Sequence, residues 1–492
     1  MRKRFEQQKS FGRIPIEDTV IRMSSRAGAY KIGLALLEIY KTPEYSEEIF
    51  AILESYITKG KKQIGRPGMD LWQIFVLSQY RLGLNLTYDE LDYMVNEDKT
   101  LRSLMGIQGT EFGGPQEEIS YQNLIDNLGL ITEEMMQKIN GVIIAFANGE
   151  VFKKKEAAGC ALKTDSYVVE SNVHFPTDYN LLWDCMRKAI DMVAKVLKQD
   201  PTIKGWRKIK DWRRRIKNGS RQIGQLSVKG GQNKEEKLKE STQNYLTTTT
   251  ELVNKLIDFL PSIAVEKNAQ FNYYKQQLEA YIMLTIKHID LLDRRVMQGK
   301  QIPHGEKMFS IFEQYTEWIT KGKKRPSVEL GKKVCITTDQ NNLIVDYRIM
   351  DHQADSEIVI DIAADVVSRY KILSWSFDKG FYHKVNKELL ADVVDKVIMP
   401  KKGKLNKTER EEESQNLFKK LRHKHSAIES NINELEHRGL DRCPDRGYSH
   451  FKRYIGIGIC AYNLYKIGAK LREMKIEEKI GQRQEESRKQ AA

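Results

Sequence analysis

Apolar residues recur at three- and four-residue spacing from residue 29 to about residue 150, the period of helices that bury one face. Leu34, Leu37 and Ile39 mark one such segment, and Leu71, Ile74, Phe75 and Leu77 mark the next. Asp70 follows Gly65-Arg66-Pro67-Gly68 and is placed to cap the second, because its carboxylate can take a backbone N–H that the first turn leaves unpaired. Beyond Gly83-Leu84-Asn85, the stretch Thr87-Tyr88-Asp89-Glu90 reads as a capping box opening a helix through Val95. Asp98 caps a further short helix ending near Gly106, Gly106–Pro115 reads as a loop, and Ser120 caps the helix after it. Short helices joined by tight turns suit a helix-turn-helix-like DNA reader and equally an ordinary helical bundle; periodicity does not separate the two.

Near residue 160 the period changes. Cys160–Asp165 and Tyr167–Phe175 read as extended chain, in one long strand or two short ones, which Pro176 ends. Thr177 or Asp178 then caps a helix carrying Leu182, Cys185, Ala189, Met192 and Val196, and the pattern stays helical and highly charged to about residue 320. Strands return at Val334–Thr338 and Leu343–Ile349, separated by the hairpin signal Asp339-Gln340-Asn341-Asn342. A helix over Glu357–Tyr370, a strand at Ile372–Phe377, a helix near Asn386–Ala391, a strand at Val393–Met399 and a long helix from about Thr408 to His437 follow. This order predicts an α/β chain of large helical content: a ribonuclease H-like core, a central sheet flanked by helices, interrupted after its first strand. The expected divisions are a helical DNA-binding or dimerisation region at 1–150, core at 151–176, a helical basic insertion at 177–328, the rest of the core at 329–470, and a charged tail at 471–492.

Composition narrows the class. In 492 residues, 81 Lys+Arg against 67 Asp+Glu give a formal net charge of +14, which favours a polyanionic partner. The apolar fraction of 40% excludes a disordered chain, and the longest apolar runs fall far short of a bilayer span. The opening MRKRFEQQKS is basic without an apolar core, so no secretory leader is expected there. Five cysteines with no CxxC pair argue against a disulfide scaffold or a structural zinc site and fit a reducing cytoplasm.

The charge is concentrated. Residues 201–230 hold Lys204, Arg207, Lys208, Lys210, Arg213, Arg214, Arg215, Lys217, Arg221 and Lys229 against Asp211 alone, so ten minus one gives +9. Trp206 and Trp212 are interleaved with these residues, and smaller clusters sit at Lys321–Arg325 and Lys401–Lys407, the latter including Lys402. Aromatic rings within dense positive charge suit a DNA backbone or an unstacked base. The plainer alternative is a solvated helix face whose tryptophans pack inward.

Three acids carry the candidate chemistry. Asp165 lies on the first core strand, Asp378 directly follows the strand Ile372–Phe377, and Glu429 lies on the long last helix. Carboxylates converging from such elements hold hard divalent cations, two of which promote in-line phosphoryl transfer. Glu170, Asp178 and Asp184 are the alternatives to Asp165 if the strand register differs, although Asp178 also reads as a helix cap and Glu170 as a strand-edge charge. On the last helix, Phe418, Leu421, Ile428, Ile432 and Leu435 should face the sheet, and Arg422, His425, Glu429 and Asn433 should line one edge. That edge would offer a cation, a proton-transfer group and an amide to phosphates, or form only a polar flank.

The chain resembles bacterial insertion-sequence transposases of the DDE class, most closely the ISNCY group. The resemblance rests on TDSYVVESNVHFPTDYNLLWD (164–184), TEWITKGKKRPSVELGKKVCITTDQ (316–340), SFDKGFYHKVN (376–386), MPKKGK (399–404) and HSAIESNINELEHRGLDRCPDRG (425–447). A helical segment at about 65–107 is similar to that of InsH-type transposases. The resemblance implies a DNA transposase that binds its element's terminal inverted repeats, cuts the ends and joins them to target DNA. It places the catalytic and metal-binding acids at Asp165, Asp378 and Glu429, with two Mg²⁺ ions for which Mn²⁺ can substitute. It further implies duplex DNA as partner, a homodimer that synapses two ends, and a place in the bacterial cytoplasm on the nucleoid. Two features depart from related groups: 213 residues separate Asp165 from Asp378, and Arg422, His425 and Glu436 stand where those groups carry a Tyr, Arg and Lys. A structure-specific nuclease with the same metal site and a catalytically inactive DNA-binding regulator are the alternative functions.

Overall fold

The computed structural model describes residues 2–5, 15–22, 26–60, 68–107, 118–153, 159–228, 231–264, 269–320 and 327–491. Two compact units result: Met1–Asn172 together with Lys321–Ala492, and Val173–Thr320. The turn residues 65–67, most of the loop expected over 106–115, Lys229 and the cluster Lys321–Arg325 lie outside the described residues.

The first unit opens with seven helices: α1 (Gly28–Lys41), α2 (Pro43–Ile57), α3 (Leu71–Gly83), α4 (Tyr88–Glu97), α5 (Lys99–Leu104), α6 (Tyr121–Leu128) and α7 (Glu133–Phe146). The expected caps form. The Asp70 N–H donates to the Gln73 side chain at 3.2 Å, Thr87 and Glu90 bond reciprocally at 2.8 and 3.2 Å, and the Leu101 N–H donates to Asp98 at 2.7 Å. These helices share a core with the sheet through the long last helix of the chain, here α17 (Tyr448–Ala491). Its first half buries Ile455, Ile459, Cys460, Tyr462, Leu464 and Ile467, while Asn463 donates to Asn140 of α7 at 2.7 Å and to the Ile344 carbonyl at 2.9 Å. Glycine is required at Gly468, where a Cβ would lie 1.8 Å from the Lys31 carbonyl oxygen of α1. The end expected as a charged tail continues α17 as one helix to Ala491.

The sheet of this unit contains β1 (Cys160–Ser171), β3 (Val328–Thr338), β4 (Ile344–Ile349), β5 (Ile372–Phe377), β6 (Val397–Ile398) and β7 (Arg442–Cys443); the second unit holds a short strand, β2 (Glu317–Thr320). Reading across, the order is β4, β3, β1, β5, β6: β3 is antiparallel to both β4 and β1, and β5 and β6 run parallel to β1. Helices α12 (Val359–Arg369), α13 (Lys384–Ala391), α14 (Lys407–Ser414), α15 (Asn416–His425) and α16 (Ala427–Leu435) complete it. The chain is therefore predominantly helical around a mixed sheet.

Three expectations are corrected. The first strand is one strand and ends at Ser171, before Phe175. The strand expected over Val393–Met399 shrinks to Val397–Ile398, because the Val393 and Val394 N–H groups turn back onto the Leu390 carbonyl at 3.1 and 2.9 Å. The single helix expected over Thr408–His437 is three. Gln415 is extended (φ −61°, ψ 140°), and at Ser426 the bonding tightens, with the Glu429 N–H reaching the Ser426 carbonyl at 3.2 Å.

The second unit is a helical bundle of α8 (Asp178–Gln199), α9 (Ile209–Val228), α10 (Lys234–Phe259) and α11 (Ala269–Leu292). Leu182, Met186, Val193, Leu252, Leu256 and Leu278 form its core, to which α9 contributes Ile216 and Ile223. With Ser220 these residues make one buried stripe at helical spacing, which leaves the basic residues of α9 on the opposite, wetted face.

Candidate active site

Asp165 and Asp378 are brought together by strand register. In the parallel pair β1–β5, Thr164 lies opposite Phe377, so the next residue on β1 and the residue just past the end of β5 are the two acids. Thr164 and Phe377 are buried, and pleat alternation turns their successors toward the opposite, more open side. Beneath the acids, the Trp375 indole N–H donates to Thr164 Oγ1 at 2.7 Å, and Thr164 shares a 2.8 Å hydrogen bond with Thr337 of β3. This buried network ties β1, β3 and β5 together below the acids, where β5 ends.

Glu429 arrives on α16, which is seated by Ile428 and Leu435, both fully buried. Asn431 donates to the Asn342 side chain at 3.3 Å, and Lys163 of β1 reaches the same oxygen at 3.3 Å, which fixes α16 over the hairpin turn. One helix earlier, His425 Nδ1 and Ser376 Oγ lie 3.0 Å apart.

The electrostatics record the convergence. Burial above all, with the negative charges of Asp378, Asp355 and Glu429, pushes the Asp165 carboxyl up to about 7, against a lowering hydrogen bond from the Ser166 N–H at 2.7 Å. The charges of Asp378 and Glu429 are thus both felt at Asp165. Asp355, in the loop before α12, is a fourth acid that the sequence did not single out; no strand end or helical stripe marks it. Its Oδ1 accepts from Ser166 Oγ at 2.7 Å and from Lys333 Nζ at 3.2 Å.

Oxygen-only donors of this kind suit Mg²⁺ or Mn²⁺ over softer metals, so the donor chemistry fits the expected cofactor. Among the described residues, however, no three His, Cys, Asp or Glu side chains stand close enough together to hold one ion. Like charge opposes closer approach of these carboxylates.

The alternative acids are engaged elsewhere. Asp178 pairs with Arg295 at 2.9 Å, Asp184 is buried with Arg187 at 3.0 Å, and Glu170 lies opposite Arg442 in the β1–β7 register. His425, expected on the edge as a proton-transfer group, is partly buried beside β5, and burial pushes its imidazole down to about 4, which favours the neutral ring. Arg422 is exposed and 3.6 Å from Glu413. Lys401 is paired with Glu409 at 2.8 Å, and Lys402 is exposed.

Within the second unit, Trp206 is corrected as a base-stacking residue. It is 7% exposed and packs edge-on against Phe259 at 5.5 Å. Trp212 is half-buried against the same core, with Arg215 over its ring at 4.7 Å. The three consecutive arginines all have acidic partners: Arg213 with Asp191, Arg214 with Asp211 at 2.6 Å, and Arg215 with Glu251 at 3.3 Å. Lys204, Arg207, Lys208, Lys210 and Lys217 are exposed and make no ion pair among the described residues.

Residues 291–464 match the family model described as the transposase DDE domain. The matched stretch includes Asp378 and Glu429 and begins after Asp165. No curated protein and no solved structure matches the chain.

Proposed function

We propose that the chain, whose residues 291–464 match the transposase DDE domain, is a DDE-type insertion-sequence transposase of the ISNCY group that binds its element's terminal inverted repeats, cleaves the ends and transfers the strands to target DNA. The observation that carries this reading is the β1–β5 register, which sets Asp165 on β1 beside Asp378 at the end of β5. The strand order β4, β3, β1, β5, β6, with only β3 antiparallel to β1 among the neighbours in that path, supports a ribonuclease H-like core.

In this reading Asp165, Asp378 and Glu429 hold two Mg²⁺ ions, or Mn²⁺ in their place. Bound there, the ions supply activation of the attacking oxygen and charge stabilisation at the leaving one. The protein's own part is placement. The Thr164–Thr337–Trp375 network holds the middle of β1 against the ends of β3 and β5, and the Ser376–His425 bond ties β5 to the helix before Glu429. In cleavage, water oxygen adds to phosphorus as the P–O3′ bond breaks; in joining, the freed 3′-hydroxyl attacks a target phosphodiester and releases its 3′-oxygen.

The helical region 1–150 is assigned to DNA binding or dimerisation, the insertion 177–328 to holding duplex DNA through its exposed bases, and the enzyme to a homodimer that synapses two ends. No helix among the described residues is long and apolar enough to cross a membrane, and we place the enzyme with its DNA on the bacterial nucleoid. Incubation with labelled element ends, Mg²⁺ and a target plasmid tests the function. Joined product is expected; cut-only product would make the protein a nuclease, and bound but intact DNA a regulator.

A further inference from the structure

We propose that Asp355 is a positioning residue of the metal site, clamping the two segments that carry Asp165 and Asp378. This rests on the reading of Asp165, Asp378 and Glu429 as metal ligands.

The geometry reaches three elements at once. Ser166 follows Asp165 on β1, and its hydroxyl donates to Asp355 Oδ1 at 2.7 Å. Lys333, on the antiparallel neighbour β3, donates to the same oxygen at 3.2 Å. The other oxygen, Oδ2, faces Gly380, two residues after Asp378: a Cβ at that glycine would lie 2.9 Å from it. Gly380 does not have a positive φ, so what favours glycine here is the close approach of Asp355 rather than backbone conformation. One carboxylate therefore bonds to the neighbour of the first acid and abuts the loop of the second.

Asp355 is itself held. The Ala354 N–H donates to Glu357 at 2.7 Å, and the buried Asn386 side chain of α13 donates to the Ser356 carbonyl at 2.6 Å. A loop with no regular structure thus presents a fixed carboxylate. Its Oδ1 is committed to Ser166 and to the Lys333 cation, which neutralises it locally. That pairing favours an orienting role over direct ligation, since outer-shell partners fix the direction of ligands without touching the metal.

The experiment measures Mn²⁺ binding to the full-length protein by electron paramagnetic resonance, in the absence of DNA. Asp355→Ala and Ser166→Ala should each weaken Mn²⁺ binding by about 10–100-fold. The double variant should be no weaker than the worse single, because both remove the same clamp. Asp355→Asn, which keeps an acceptor for Ser166, should recover part of the loss. Melting temperature and inverted-repeat binding, measured in parallel, separate a displaced ligand from a misfolded chain, and Ser166→Ala is the milder variant should Asp355→Ala fold poorly. Mn²⁺ affinity within twofold of wild type in both Asp355→Ala and Ser166→Ala would overturn the proposal. So would Asp355→Asn losing as much affinity as Asp378→Asn, which would make Asp355 a ligand. If Asp378→Asn itself leaves Mn²⁺ affinity intact, the metal-site reading fails instead.

Discussion

Ser376 Oγ and His425 Nδ1 lie 3.0 Å apart, so the strand that delivers Asp378 is joined by one polar bond to the helix that precedes Glu429. The two acids sit two residues beyond Ser376 and four beyond His425. This bond fixes how far apart their backbones stand. With its imidazole held neutral, His425 contributes a hydrogen bond and not a charge. His425→Phe keeps a ring and removes the bond. It should slow end cleavage by roughly 10²-fold, the cost of a small misplacement of reacting groups, while inverted-repeat binding stays near wild type. A wild-type cleavage rate in this variant would show that the bond plays no part in placing the acids.

Asp165 links function to stability. Its carboxyl ordinarily titrates at 3.8 and is pushed up to about 7 in the folded chain. A raised carboxyl pKa means that ionisation disfavours the fold, so stability is lost as pH rises from about 4 to 7. Asp165→Asn should therefore abolish cleavage yet stabilise the protein by about 1–3 kcal/mol at pH 8 in chelator, with the gain vanishing near pH 4. Asp378→Asn and Glu429→Gln, at exposed positions, should abolish cleavage without such a gain. Melting curves at both pH values decide it; an Asp165→Asn protein that melts no higher than wild type at pH 8 contradicts the burial argument.

The salt dependence of DNA binding tests the basic helix. Arg213, Arg214 and Arg215 already have acidic partners, whereas Lys204, Lys208, Lys210 and Lys217 are exposed. A phosphate contact flattens the log–log salt slope by about 0.9 when it is lost. Replacing the four lysines together with Gln should flatten the slope by up to about 3.6. The Arg213, Arg214 and Arg215 triple Gln variant should flatten it by less than about 2.7, because its cations must first leave their carboxylates. Equal slopes for wild type and the quadruple Lys variant would remove this basic segment from the DNA interface.

Trp206 should act through stability alone. Its ring sits in the bundle core against Phe259, with Lys255 5.0 Å from its centre on one side. Trp206→Ala should cost about 3–5 kcal/mol, the usual penalty for emptying a large aromatic site. At a temperature where the variant is folded, its DNA affinity should match wild type. Weaker DNA binding without a lower melting temperature would restore the ring to the interface.

Much of this was legible in the residues, for identifiable reasons. The capping residues Asp70, Thr87, Asp98 and Ser120 act within one helical turn, so local sequence determines them. The hairpin at Asp339–Asn342 was similarly local. Asp378 is proposed because it follows a short apolar run, and Glu429 because it flanks a helical stripe. Asp355 could not: its role depends on Ser166 and Gly380, which are 189 and 25 residues away in the chain. The break at Gln415 was hidden for a related reason, since nothing in the composition of 408–437 forbids a continuous helix. The aromatic rings stayed open between two readings because charge density marks a surface, while the burial of Trp206 is decided by Phe259, 53 residues on.

His288, on α11 of the second unit, offers the sharpest test of a buried polar group. The residue is fully buried, and neither ring nitrogen has a hydrogen-bond partner among the described residues. Burial pushes its pKa down to about 4, helped by the positive charge of Lys287. A neutral imidazole without partners carries an unrecovered desolvation penalty of about 1–3 kcal/mol, which an apolar side chain of similar size would not. His288→Leu should therefore stabilise the protein at pH 8 by about 1–2 kcal/mol, after allowing for imperfect shape. The pH dependence has a definite sign. The folded pKa lies below the ordinary value of 6.5, so the unfolded chain takes up the proton first and wild-type stability falls as pH drops from about 6.5 to 4. Leucine cannot titrate, so the advantage of the variant should widen across that window by up to about 3 kcal/mol. Denaturation of both proteins at pH 8, 6 and 4.5 reads the difference directly. A gap that stayed constant with pH would mean that His288 has a proton partner after all.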